Sequence, residues 1–163
     1  MAIAIFTTGG TIDKVYFDAK GAYAVGAPMV ESLLAQARVE AQVSITPLLR
    51  KDSLELTADD RAVVVDAVRN CAAAQVIITH GTDTMVETGL ALAGVPGKTI
   101  VLTGALQPGR FADSDAPFNL GMAVAAVQLL PLGVYIAVNG LVRLAASLRK
   151  NREHNRFEAI DPS

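Results

Sequence analysis

Three threonines fall within five positions in Phe6-Thr7-Thr8-Gly9-Gly10-Thr11-Ile12-Asp13, directly after an apolar run. A second hydroxyl-rich string, Ile77-Ile78-Thr79-His80-Gly81-Thr82-Asp83-Thr84-Met85, follows another such run and adds a carboxylate. A hydroxyl is a poor nucleophile until a neighbouring base takes its proton, and acyl transfer further needs donors for the developing oxyanion. The glycines in both strings let backbone N–H groups point into a cavity, so either turn could hold an anion. Bases available elsewhere are Lys150, the carboxylates, and Tyr16, Tyr23 and Tyr135, and spacing alone does not choose among them. Each residue also has a plainer reading: threonines bond turn backbone, Asp83 caps a helix, and His80 is a hydrogen-bonded core histidine, the reading preferred for that imidazole.

Other chemistries lack their strings. No G-x-G-x-x-G opens a helix, no G-K-[ST] loop is present, and there is no G-x-S-x-G elbow. His80 and His154 are far apart with no cysteine near either, so no metal or cofactor is expected. The single Cys71 fits a reducing, cytoplasmic setting.

The elements that must position these residues read as α/β: short apolar runs alternating with stretches of helical period, as in a mostly parallel sheet buried on both faces. Strands are predicted at Ala2–Thr7, Gln42–Pro47, Gln75–Thr79, Thr99–Leu102 and Gly133–Val138, and helices at Met29–Ala37, Ala58–Ala73, Met85–Ala93 and Asn119–Leu130. Thr57 with Asp60 forms a capping-box pattern, and Asp115 followed by Pro117 marks another helix start. Lys14–Ala27 and Gln107–Ala116 carry no periodicity and follow strand ends, the edge where open α/β sheets bind ligands. Ser147–Ser163, the most polar stretch, reads as a partly ordered tail.

The 163 residues fit one domain, 1–163, and 52% hydrophobic against 18% charged residues excludes a disordered chain. Fourteen basic against 16 acidic residues leave a charge of −2, without a basic patch suited to nucleic acid. The longest apolar run, broken by Pro131 and Gly133, is too short for a membrane helix. A mean hydropathy of +0.39 with few charges predicts a homo-oligomer, dimer or tetramer.

Taken together, Thr8-Gly9-Gly10-Thr11-Ile12 and His80-Gly81-Thr82-Asp83-Thr84-Met85 resemble the paired signatures of the bacterial L-asparaginase family. Tyr23-Ala24-Val25-Gly26, Asp52-Ser53-Leu54-Glu55-Leu56, Gly104-Ala105-Leu106-Gln107-Pro108 and Ser114-Asp115-Ala116-Pro117-Phe118-Asn119-Leu120 extend the resemblance over nearly the whole chain. It implies a Rossmann/flavodoxin-like three-layer sandwich and hydrolysis of L-asparagine to L-aspartate and ammonia.

By that resemblance, Thr11 is the nucleophile, assisted by Tyr23 on a mobile loop flanked by Gly21 and Gly26. Thr82 places water or substrate, Asp83 holds the substrate's α-ammonium, Ser53 in the Asp52-Ser53 segment binds its α-carboxylate, and Lys150 completes a hydroxyl–lysine–carboxylate set. N–H groups around Gly10, Thr11 and Thr82 would meet the oxyanion. Common members are roughly double this length, with a second, smaller domain, so the chain resembles a short-chain, Rhodospirillum-type form or an excised N-terminal domain. A neighbour's polar tail, through Glu153, Asn155 or Glu158, would then close the site. Leu54 stands where many members carry a polar or small residue. The alternatives are a non-catalytic small-ligand-binding module and an amidase subunit of a larger assembly.

Overall fold

The computed structural model describes residues 2–160, with the Lys20 side chain also outside the description. Residues 161–163 of the expected tail, and of the expected 1–163 domain, lie outside the described residues. A six-stranded sheet is built from β1 (Ile3–Gly9), β4 (Val43–Lys51), β5 (Gln75–Thr79), β6 (Thr99–Thr103), β7 (Gly133–Val138) and β8 (Leu141–Leu144). Their spatial order is β4-β1-β5-β6-β7-β8, parallel except for the last strand. The five parallel strands thus follow the doubly wound flavodoxin order, whose switch point lies between β1 and β5. α/β is the observed class.

The central strands are apolar on both sides because helices cover both faces. Ile3, Ile5, Ile77, Val101 and Ala137 point to one core, closed by α1 (Val30–Gln36) and α4 (Ala116–Leu129). Ala4, Phe6, Val76, Ile78, Ile100, Leu102 and Ile136 point to the other, closed by α2 (Ala58–Asn70) and α3 (Met85–Leu92). Helix α2 starts at the expected capping box: Thr57 Oγ1 accepts the Asp60 N–H at 3.2 Å, and Asp60 accepts the Thr57 N–H at 2.9 Å. It buries Asp60, Val64 and Val68, one stripe at helical spacing. Helix α4 begins three positions before the predicted Asn119, because Pro117 in the first turn has no N–H to leave unsatisfied there.

Two segments read as irregular are hairpins. Lys14–Ala27 contains β2 (Lys14–Phe17) and β3 (Ala22–Val25), antiparallel, with Gly21 at the tip in the left-handed region, φ +58. The expected tail contains β9 (Leu148–Asn151) and β10 (Arg156–Ala159), also antiparallel. Both stand outside the main sheet with one face in water, so neither shows a core-facing alternation.

Candidate active site

The two hydroxyl strings leave β1 and β5 at the same sheet edge and touch at the switch point. Gly10 has φ +85, and a Cβ there would strike the backbone of His80 and Gly81. Only glycine permits this approach, which sets Thr11 and Thr82 beside one contact between the strings. Thr8 fastens the first turn by donating from Oγ1 to the Thr79 carbonyl at 2.9 Å.

Gly81 in turn packs on Ser53. A Cβ on Gly81 would stand 2.6 Å from Ser53 Cβ and 2.7 Å from its Oγ. Ser53 opens a 3-10 turn, Ser53–Glu55, begun by Asp52, which accepts the Leu54 N–H at 3.2 Å. Thr84 Oγ1 donates to the Ser53 carbonyl at 2.7 Å, locking this turn to the second string. Asp52 also pairs with Lys14 at 2.9 Å. Burial opposes its ionisation, but Lys14 and the Leu54 N–H hold its carboxyl below the usual range. Asp52 therefore ties the β2–β3 hairpin to the turn that presents Ser53.

Lys150 arrives from β9. Its ammonium donates to Thr82 Oγ1 at 2.7 Å and lies 3.8 Å from Asp83 Oδ1. The Lys150 side chain is 3% exposed, against 33% for that of Asp83. Burial lowers the Lys150 pKa; Asp83 opposes that shift and the charge of Arg152 adds to it, with a net lowering. The neutral amine, which alone can take a proton, is correspondingly easier to reach.

Thr11 follows Gly10 in a 3-10 turn, Thr11–Asp13, and no hydrogen bond claims its hydroxyl among the described residues. The Gly10 N–H is spent on the Lys51 carbonyl at 2.9 Å, which removes it from the oxyanion donors expected there. Tyr23 on β3 is 52% exposed and stacks edge-on with Tyr16 and Phe111, at centroid distances of 5.4 and 6.1 Å. Among the described residues no hydrogen bond joins it to Thr11. It lines a polar hollow of about 380 Å³ with Lys14, Arg50, Asp52 and Glu55. A larger hollow, about 510 Å³, is lined by Ala2, Ser44, Cys71 and Gln75 at the opposite sheet edge, far from both hydroxyl strings.

His80 is a core histidine, as its plainer reading has it. Its Nδ1 lies 2.6 Å from the Gly81 carbonyl and its Nε2 2.7 Å from Thr88 Oγ1. Burial pushes the ring pKa down to about 4, so it is neutral near pH 7. The ring therefore stiffens the second string without supplying charge.

Further residues brace this edge. Asp13 accepts the Met29 N–H at 2.8 Å, pinning the foot of the hairpin, where its own carbonyl receives the Gly26 N–H at 2.7 Å. Burial raises the Asp13 pKa to about 6, with the Met29 N–H, Arg50 and Arg110 opposing. Asp115 accepts the Leu106 and Gln107 N–H groups at 3.0 Å, and buried Asn119 donates to the Gly104 carbonyl at 2.8 Å, so the S-D-A-P-F-N string shapes the third loop of this edge. Asn155 accepts from Lys150 at 2.8 Å, and Glu158 is held by Arg149, Asn151 and Arg156. Two of the three residues expected to reach a neighbour are thus engaged within their own chain.

The family model for asparaginase, N-terminal, matches residues 2–162. The chain belongs to the asparaginase family. This asparaginase-family chain is 29% identical to the L-asparaginase of Thermococcus kodakarensis over 99% of its own length and 52% of that protein's. It is 32% identical to the glutaminase-asparaginase of Acinetobacter glutaminasificans, over 91% and 49% respectively. The structure of the thermostable L-asparaginase from T. kodakarensis superposes with a TM-score of 0.87 at 28% identity, covering the whole of this chain and 52% of that one. The chain spans about half the length of the curated relatives it matches.

Proposed function

We propose that this asparaginase-family chain hydrolyses L-asparagine to L-aspartate and ammonia through a threonine hydroxyl. The observation that carries the reading is the buried Lys150 ammonium 2.7 Å from Thr82 Oγ1 and beside Asp83, across a glycine–glycine contact from Thr11. A zwitterionic amino acid needs an anion for its ammonium and hydroxyl or N–H donors for its carboxylate. Asp83 and Ser53 have those types and flank Gly81, which leaves the side-chain amide to face Thr11.

Attack by Thr11 Oγ on the amide carbon gives a tetrahedral oxyanion. Its collapse expels the nitrogen, which leaves as ammonia on receiving the threonine's proton, and an ester remains on Thr11. Water directed by Thr82 then gives a proton to the neutral Lys150 amine and adds to the ester carbon. As the C–O bond to Thr11 breaks, the Lys150 ammonium returns that proton to the departing Thr11 oxygen, and the new carboxyl loses its own proton to solvent as aspartate leaves. Thr11 and Thr82 carry no backbone partner on their N–H groups among the described residues, so these supply the oxyanion donors in place of Gly10. Tyr23 serves from the hairpin once that element closes over the substrate. The reading takes the chain as one domain acting in the cytoplasm as a homo-oligomer, without metal or cofactor.

The test is ammonia release from L-asparagine by the purified chain and its Thr11→Ala and Thr82→Ala variants, with mass spectrometry for a Thr11-linked ester in the second variant. Loss in both, with circular dichroism unchanged, supports the reading. Equal release from all three chains removes it.

A further inference from the structure

The resemblance groups Lys150 with Thr82 and Asp83, yet Asp83 is not the group that aims it. Its oxygen stands 3.8 Å from the ammonium, whereas Asn155 Oδ1 stands at 2.8 Å. An ammonium has only donors, so the atom facing it from Asn155 is the carbonyl oxygen. On its far side the ammonium lies 5.2 Å from the centroid of the Phe157 ring, which covers it from the paired strand. We propose that Asn155 is a positioning residue: its side-chain carbonyl fixes the Lys150 nitrogen so that, in the neutral amine, the lone pair points at the Thr82 hydroxyl.

The geometry follows from counting. A neutral amine carries two hydrogens and one lone pair. With one hydrogen on Asn155 Oδ1 and the other turned toward Asp83, the lone pair is left for Thr82 at 2.7 Å. A carboxylate in Asn155's place would give the same aim but would favour the charged ammonium and hold its proton. A neutral amide aims the nitrogen with a weaker preference for the charged form. The charges facing Lys150 are then Asp83, from the turn after β5, and Arg152, whose guanidinium reaches the Asp83 carbonyl at 3.5 Å.

Asn155 has a second possible reason to be there, because it closes the β9–β10 turn in the left-handed region at φ +47, which asparagine tolerates. Glycine tolerates it as well, so Asn155→Gly keeps the turn and deletes only the carbonyl. Asn155→Asp keeps both turn and shape and adds a charge. The inference rests on the proposed role of Lys150, and its test keeps the two apart.

The measurement is kcat and kcat/KM on L-asparagine against pH for the full chain, with NMR titration of the Lys150 side-chain nitrogen, assigned by its loss in Lys150→Met. Asn155→Gly is expected to fold as the parent does and to lower kcat about tenfold, the loss typical of a charge-assisted hydrogen bond. It moves the ascending pH limb and the Lys150 titration to lower pH, since the charged form loses an acceptor. Asn155→Asp moves both to higher pH. A folded Asn155→Gly with parental kcat and titration, or both variants shifting Lys150 in one direction, overturns the assignment while Lys150→Met is inactive. Full activity in Lys150→Met instead sinks the catalytic role of Lys150, and the Asn155 contact is then judged by the NMR shifts alone.

Discussion

Replacing Asp13 with asparagine keeps an acceptor for the Met29 N–H and takes away a buried ionisable group. The carboxyl is raised from 3.8 to about 6 by burial, so the native state binds its proton more tightly than the unfolded chain does. Between those two values the native state carries more protons at this group, and the Asp13 contribution to stability falls as pH rises. Above pH 6 the ionised carboxylate costs about 3 kcal/mol, the equivalent of that shift. Asp13→Asn is therefore expected to stabilise the chain at pH 7.5 by about 3 kcal/mol, or roughly 6–12 °C in Tm. The gain shrinks as pH falls through 6 and is nearly gone at 4.

His80 works in the opposite sense over much of that window. Its imidazole takes a proton at 6.5 in the unfolded chain but only at about 4 in the buried site, so its contribution is lost as pH falls. The parent chain should then show a nearly level stability between pH 4 and 6, and Asp13→Asn a decline toward acid. Urea denaturation at half-unit pH steps reads both curves. An Asp13→Asn variant less stable than its parent at pH 7.5, or one whose pH dependence parallels the parent's, refutes the reasoning.

Gly81→Ala places a methyl carbon 2.6 Å from Ser53 Cβ, and displacing Ser53 by about 1 Å should cost about a hundredfold in kcat/KM, read by ammonia release, together with about 1–3 kcal/mol of stability in urea denaturation from overpacking. Asn119→Ala strips the Gly104 carbonyl and the Asn139 N–H of their buried partner, an expected loss of about 2–4 kcal/mol in urea denaturation.

The strands Gln75–Thr79 and Gly133–Val138 were legible to the residue because each is an unbroken apolar run between turn residues. For the edge strand β4 the sequence predicts an end at Pro47, yet the strand continues to Lys51. At a sheet edge a proline can turn its missing donor outward, and the pairing of β1 with β4 slips beyond Thr7. The two signature strings were visible because close backbone contact demands glycine and leaves a repeated small-residue pattern. The bond from Lys150 to Asn155 was not: the sequence offers Asn155 only as a residue reaching a neighbour, Arg149-Lys150-Asn151-Arg152-Glu153-His154 looks like solvated tail, and only Leu148 and Phe157, packed on the second core, betray a hairpin. Asp13 escaped because one carboxylate at the end of a threonine-rich turn carries no periodic mark of its burial.

The lysine and the hydroxyl it touches are 68 positions apart, and the lysine is the later of the two. During synthesis β1, β5 and their turns leave the ribosome long before β9, so the sheet can assemble while Thr82 still lacks its amine. Without β9 the edge would keep both hydroxyl strings but lack the amine that meets Thr82. The β9–β10 hairpin arms it, so amide turnover reports the docking of that hairpin and not sheet formation alone.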